Sequence, residues 1–255
     1  MPGRPPRTLT TEAIVLRRRY LNDADAILTL LAPAHGRIEA VVKGVRKPQS
    51  KMRGHVEPVT RSRFLLAHGQ SLEVVTQAET LEPFLDLKAS LDHLAAALYL
   101  CEVAERVIVP GTPHPELYRL LLRALHALDA GEAPALIVRW VELHVLAVSG
   151  FELQLADCAS CGADLPEEDG FYAPAAGGLL CRQCRIDASG RIVSLRTQKV
   201  LRFARRAPID EFAALRADPA TLDTCAAVLA DALHAAFDIA PRSRGFLEAL
   251  SSPPA

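Results

Sequence analysis

The sequence predicts an α+β chain. A small five-stranded barrel comes first, then an α-helical domain with an inserted four-cysteine module. Three observations point to this order. Residues 11–80 break into short runs of β-branched or alternating character, separated by turn residues. From residue 83 the apolar positions recur at steps of three and four. Residues 156–187 follow neither period and hold two Cys-x-x-Cys pairs. The expected domains are therefore residues 1–80 and 81–255, with the cysteine module at about 156–187.

The strands are expected at Glu12 to Arg18, Ala26 to Leu31, Arg37 to Lys43, Val59 to Leu66 and Leu72 to Thr76. Pro33-Ala34-His35-Gly36 makes the turn between the second and third, with Gly36 suited to positive φ. Five short strands within so few residues suit a closed barrel, and an OB-fold is the simplest five-stranded choice. The pattern does not give the strand order.

Leu87, Leu91, Leu94, Leu98 and Cys101 predict the buried stripe of a first helix, ended by Pro110-Gly111. Thr112 is the expected cap of a second helix with Pro113 in its first turn, burying Leu117, Leu120, Leu121, Ala124 and Leu128. A third helix is expected from about Ala133 to Val148, with Gly150 just past its end. After the cysteines, helices are expected from Ser194 to Arg206 and from Pro219 to about Phe237, and Ser251 to Ala255 as a frayed tail.

Cys158-x-x-Cys161 and Cys181-x-x-Cys184 are separated by 19 residues. Each pair brings two sulfurs to one metal, and the spacer lets the second pair complete a tetrahedron of thiolates. The reading is one structural Zn²⁺, because four sulfurs leave no coordination position open for water. A redox pair needs only one such motif, in a βαβ setting. Disulfides are disfavoured in the reducing cytoplasm, where this chain is expected: it shows no signal-peptide pattern and no apolar run of membrane-spanning length. Cys101 and Cys225 read as packed thiols of apolar helices.

Net charge is −1 but unevenly distributed: residues 1–80 carry +6 and residues 81–157 carry −6. Lys43, Arg46, Lys47, Lys51 and Arg53 cluster in a Gly/Pro/Ser-containing loop after the third strand. Such a loop can hold phosphates, and charge alone leaves a merely solvated loop equally open. Arg17, Arg18 and Arg19 form a second basic cluster. Phe64 and Tyr20 are aromatic enough to stack bases, though core or rim packing is the first reading. Arg196, Lys199, Arg202 and Arg205 read first as a solvated helix face. His126 and His144 read as packed or surface residues. Asp23 and Asp25 form a close acidic pair without a visible third metal ligand. No zincin, P-loop, dinucleotide-binding or nucleophile-elbow motif is present.

The order barrel, helices, four-cysteine module and terminal helices resembles the RecO family. The likeness extends over nearly the whole chain. It is carried by Ala13-Ile-Val-Leu16, Asn22-Asp-Ala-Asp25, Gly36-Arg-Ile38, Ala40-Val-Val-Lys-Gly44, Ser50-Lys51, Gly150-Phe151 leading into Cys158-x-x-Cys161-Gly162, and Arg242-Ser-Arg-Gly-Phe-Leu247. The family often has Gly-Glu where this chain has Asn22-Asp23, so that pair is given no role. Some members lack the cysteines, which agrees with a structural metal. The resemblance implies an N-terminal OB-fold that binds single- and double-stranded DNA, and annealing of complementary strands. It also implies work with RecR, single-stranded-DNA-binding protein and RecA in recombinational repair. The DNA role then falls on Lys43, Arg46, Lys47, Lys51 and Arg53, with Arg17, Arg18 and Arg19 behind them, and no catalysis is implied. Two other functions fit the bare sequence: a zinc-stapled module that binds only proteins, and a metal-dependent nuclease.

Overall fold

The computed structural model describes residues 8–238 together with 241, 243 and 245. The expected tail at 251–255 lies outside them, as does the closing motif at 242–247 apart from Ser243 and Gly245. By packing, the chain divides into two compact units, Met1–Asp129 and Ala130–Ala255.

The first unit is built on five strands: β1 (Thr8–Tyr20), β2 (Ala26–Ala32), β3 (Gly36–Val42), β4 (Arg61–Ala67) and β5 (Glu73–Glu82). They close in the order β1-β2-β3-β5-β4, with β3 and β5 parallel and the other pairs antiparallel. This is an OB-fold. Closure depends on β1. Its first half pairs with β4 and its second half with β2, and an irregularity between Val15 and Arg17 turns the strand from one partner to the other. Alternate residues of each strand (Ala13, Val15, Leu28, Leu30, Ile38, Ala40, Phe64 and Leu66) fill the interior. β2 is buried along its whole length. Helices account for its outer face, because α2 (Leu91–Val107) packs on β1 and α3 (Pro115–Asp129) on β2.

Strand gives way to helix at α1 (Leu85–Ala89), close to the residue 80 drawn from the sequence. Compactness falls later, after Asp129, because α1, α2 and α3 pack on one another and on the barrel. The Asp129 carboxylate accepts the Leu87 N–H at 2.9 Å and ties the ends of this helical set together.

Two helix expectations need correction. The helix predicted through Leu87 and Cys101 is two helices, broken at Ser90, whose backbone is extended. Its leucine stripe also does not face inward throughout: Leu91 is 58% exposed, Leu98 is exposed, and the buried face is Ala95, Ala96, Tyr99, Leu100, Val103 and Ala104. The helix is apolar on more than one side, so period alone does not choose the inner face. The small alanine face packs closer. The next helix starts at Pro115, not at Thr112-Pro113. Pro115 takes the first helical position and disfavours helical backbone at His114 before it. The stripe Leu117, Leu120, Leu121, Ala124 and Leu128 is buried as expected.

The second unit contains α4 (Pro134–Val148), a small sheet, α5 (Leu195–Arg206), α6 (Ile209–Ala213) and α7 (Pro219–Phe237). α4 packs against α5, α6 and α7. Ser194 caps α5 by accepting the Thr197 N–H at 3.2 Å, and Asp218 caps α7 by accepting that of Thr221 at 2.9 Å. α7 is long and apolar enough to cross a membrane by length and composition alone. It is a packed helix here, burying Cys225, Val228, Leu229, Ala232 and Leu233. The sheet is antiparallel, ordered β7 (Gly178–Leu180), β6 (Gly170–Ala173), β8 (Arg191–Val193). Strands of three and four residues are too short to reveal a period, and the sequence did not announce them.

The turn between β2 and β3 is held tightly. Gly36 has φ +63°, and a Cβ there would stand 2.0 Å from the Thr112 carbonyl oxygen. Gly36→Ala is expected to destabilise the first unit by about 1–3 kcal/mol, read as a lower urea midpoint. Gly54→Ala, where a Cβ would meet nothing within 4 Å, is the control and should leave the midpoint nearly unchanged.

Candidate metal centre and nucleic-acid interface

The fold brings the two cysteine pairs together. Cys158, Cys161, Cys181 and Cys184 place their Sγ atoms within 4.8 Å of one another, with Cys161 and Cys181 at 3.9 Å. The Cys158 N–H donates to the Ala163 carbonyl and the Gly162 N–H to that of Cys158, both at 2.8 Å, which closes the first turn. The Arg185 N–H donates to the Cys181 carbonyl at 3.1 Å and closes the second. The Ala159 N–H donates to the Leu179 carbonyl at 2.8 Å, fixing the first turn to β7, and Cys181 leaves the end of that strand. Hence 19 intervening residues cost no distance.

The donor set fits one tetrahedral ion. Sulfurs ~2.3 Å from a shared metal stand roughly 3.8 Å apart. Burial raises the Cys158 thiol, but N–H groups of Cys181, Cys161 and Ser160 outweigh it and bring the pKa to about 6. Cys181 is also lowered, chiefly by the N–H groups of Cys184 and Gln183, while the Cys181 sulfur pushes Cys184 up to about 12. Sulfurs this close compete for negative charge, and a divalent cation between them removes the conflict. Around the site the buried core is small: Cys158, Ala173 and Leu180, flanked by Ala159, Leu165 and Phe171 among others. Gln198 of α5 anchors the module, its Nε2 donating to the carbonyls of Glu168 at 2.9 Å and Val193 at 3.0 Å. Cys101 and Cys225 lie elsewhere, buried, and burial pushes both thiols up to about 12.

The basic cluster occupies the connection between β3 and β4. Lys43, Arg46, Lys47, Lys51 and Arg53 are all exposed. The base of this loop is fixed by a residue the sequence left without a role. Asp25 Oδ1 accepts the Gly44 N–H at 2.8 Å, and Oδ2 accepts Asn22 Nδ2 at 3.1 Å. Asn22 Oδ1 accepts the N–H groups of Ala24 and Asp25, both at 2.8 Å. The Gly44 N–H first, then the Asn22 amide, hold the Asp25 carboxyl below its ordinary value. Oδ1 therefore holds the loop, while Oδ2 closes Asp25's own turn through Asn22. Gly44, at φ +67°, turns the chain there, and the Arg46 N–H donates to the Ala24 carbonyl at 3.1 Å. Asn22 closes an Asx turn that was left unread in the sequence. So was the bond from Asp25 to Gly44, 19 residues on.

The cations are not equivalent. Lys43, Lys47 and Lys51 have no side-chain hydrogen bond or ion pair among the described residues. Lys47 and Ser50 border an open hollow of about 370 Å³ with Gly44, Pro48 and Gln49. Arg46 donates to the Asn22 carbonyl at 3.3 Å and lies over the Tyr20 ring, 4.5 Å from its centroid. Arg53 donates to the Arg46 carbonyl at 3.3 Å. Arg17 is paired with Glu105 at 2.6 Å, Arg18 lies 5.8 Å from the Tyr20 centroid, and Arg19 is exposed. Phe64 is fully buried in the barrel, whereas Tyr20 is 59% exposed.

The other polar candidates have partners inside their own unit. On α5, Arg196 pairs with Asp218 at 3.1 Å, Lys199 with Glu167 at 3.7 Å and Arg205 with Glu152 at 2.6 Å, while Arg202 donates to the Leu155 carbonyl at 2.8 Å. His126 is 2.7 Å from Glu82, and His144 stacks on Trp140 at 3.9 Å.

Comparison with known proteins gives a consistent result. The family model described as "Recombination protein O N terminal" matches residues 7–84, and "Recombination protein O C terminal" matches residues 88–245. A "DNA repair protein RecO" from Roseiflexus sp. (strain RS-1) is 36% identical over 243 residues, covering 95% of this chain and 86% of its own. That of Desulforudis audaxviator (strain MP104C) is 41% identical over 238 residues, covering 93% and 95%. That of Moorella thermoacetica is 42% identical over 181 residues, covering 71% and 67%.

A module with so small a core should depend on its metal. Elemental analysis of the purified chain is expected to give one ion per chain. The double variant Cys161→Ser, Cys184→Ser should carry none and lose more than ~4 kcal/mol of unfolding free energy. Cys225→Ser should keep the metal.

Proposed function

This chain belongs to the RecO family, and on that premise we propose that its barrel loop binds single- and double-stranded DNA in recombinational repair. The observation that carries the proposal is the loop itself: three lysines with no side-chain hydrogen bond or ion pair among the described residues, on a backbone fixed at its base by Asp25. Unpaired ammonium groups exchange water for phosphate without first breaking an ion pair. Each phosphate they neutralise releases condensed counterions, a gain that carries no sequence information. Lys43, Lys47 and Lys51 are the primary contacts, with Arg46, Arg53, Arg18 and Arg19 around them. Arg17, held by Glu105, contributes less.

Annealing follows from the same physics. It needs neutralised phosphates and two strands held close, not a bond made or broken, so the chain acts as a mediator and not as an enzyme. On this reading it works in the cytoplasm with RecR, with single-stranded-DNA-binding protein and, through them, with RecA. The metal is one Zn²⁺, the ion most often held by four thiolates, and its filled sphere makes it structural.

The test is charge reversal on the loop. The triple variant Lys43→Glu, Lys47→Glu, Lys51→Glu leaves Arg46 and its contacts in place. It is expected to bind labelled oligonucleotides at least ~10-fold more weakly, whatever their sequence, with metal content unchanged. Affinity equal to that of the unaltered protein would overturn the loop assignment.

A further inference from the structure

We infer that Tyr20 is a base-stacking platform that makes this surface prefer unpaired to paired DNA. The inference rests on the proposed DNA role of the loop and adds to it a contact with bases.

Aromatic residues are scarce in this chain, at 5% of the sequence. In the first unit Phe64, Phe84, Tyr99 and Tyr118 are buried. Tyr20 is the one exposed aromatic of that unit among the described residues, at 59%, and Leu21 beside it is also exposed. Its position is set by the strand. After the irregularity in β1, Arg18 pairs with Leu28 and Tyr20 with Ala26. Leu28 and Ala26 line the barrel interior, and residues paired across a sheet share a face. Tyr20 therefore stands on the inward side at the end of its strand, at the mouth of the barrel. The basic loop begins at that same end, because β3 runs beside β2 and Val42 pairs with Ala26.

The ring is held in place. The Arg46 guanidinium lies 4.5 Å from its centroid, and Arg46 is anchored in turn by the carbonyls of Asn22 and Ala24. Arg18 approaches to 5.8 Å. A cation over an aromatic face is attracted by the ring quadrupole, so these arginines fix the ring without burying it. The result is an oriented, solvent-exposed aromatic with the Arg46 guanidinium over one face of its ring, and a base takes the face opposite Arg46. A nucleobase has a π-face for such a ring and is tethered to the phosphates that the neighbouring lysines attract. Bases within a duplex are already stacked on one another, so only an unpaired base can use the platform fully.

Stacking is not ionic, and this separates it from the lysine contacts. In the full-length, metal-loaded protein, Tyr20→Ala is expected to bind a single-stranded oligonucleotide about tenfold more weakly. Duplex affinity should stay within about twofold, and the salt dependence should be unchanged. Tyr20→Leu, which keeps apolar bulk, should behave like Tyr20→Ala, and Tyr20→Phe like the unaltered protein. 2-Aminopurine placed in the single strand should be quenched on binding to the unaltered protein and to Tyr20→Phe, but not to Tyr20→Ala. If Tyr20→Ala weakens both DNA forms equally, or neither, the platform is refuted while the loop assignment stands. If the unaltered protein binds no DNA, both fail together.

Discussion

The Asp25 carboxylate is the contact on which the conformation of the basic loop depends. It accepts the Gly44 N–H at 2.8 Å and so joins the β1–β2 turn to the start of the β3–β4 loop. Around it, Asn22 closes its own turn, and Arg46 is drawn back to Ala24 by its backbone and to Asn22 by its side chain. Without that bond, a Gly- and Pro-containing loop of this length would sample many conformations, and ordering it on a ligand would cost entropy. With it, the lysines are presented from a fixed base. One acid thus fixes the start of a loop that carries five cations, and it meets Lys43 and Lys47 by longer-range attraction, not by direct pairing.

The second unit solves a different problem with the same economy of contacts. Its cysteine module has almost no core, so the segment cannot be held by apolar burial alone. Four sulfurs gathered within 4.8 Å form a donor set for one metal ion, and buried Gln198 of α5 fastens the module to that helix through two carbonyls. The basic residues of α5 then serve this unit internally, paired with Asp218, Glu167 and Glu152. Positive charge on a helix is therefore not equivalent to positive charge on the loop: the first is ion-paired with acids of its own unit, whereas among the described residues the loop lysines make no ion pair and meet Asp25 only through longer-range attraction.

Much of this was legible in the sequence, and the parts that were not share a cause. The five strands were readable because their alternation is local, and the cysteine pairs because their spacing is itself the signal. The buried face of α2 was not, since alanine and leucine stripes run along the same helix and only packing chooses between them. The three-residue strands were too short to carry a period. For the site, the basic loop stood out by composition, but which cations are free depends on distant partners: Glu105 holds Arg17, and Asn22 and Tyr20 hold Arg46. Asp25 looked like half of an acidic pair, and its work is done by a hydrogen bond to a residue far along the chain. Tyr20 could not be told from core because the irregularity in β1 turns it to the inward side, and it is exposed only because the strand ends there, at the barrel mouth.

The central claim is that loop cations grip phosphate. Its most direct measurement is the affinity of the unaltered, metal-loaded protein for a labelled single strand across a range of salt concentrations. Engagement of the three free lysines predicts that log affinity falls linearly with log salt at a slope near −2 or steeper, about −0.7 for each phosphate neutralised. No binding in dilute buffer, or binding indifferent to salt, would contradict it.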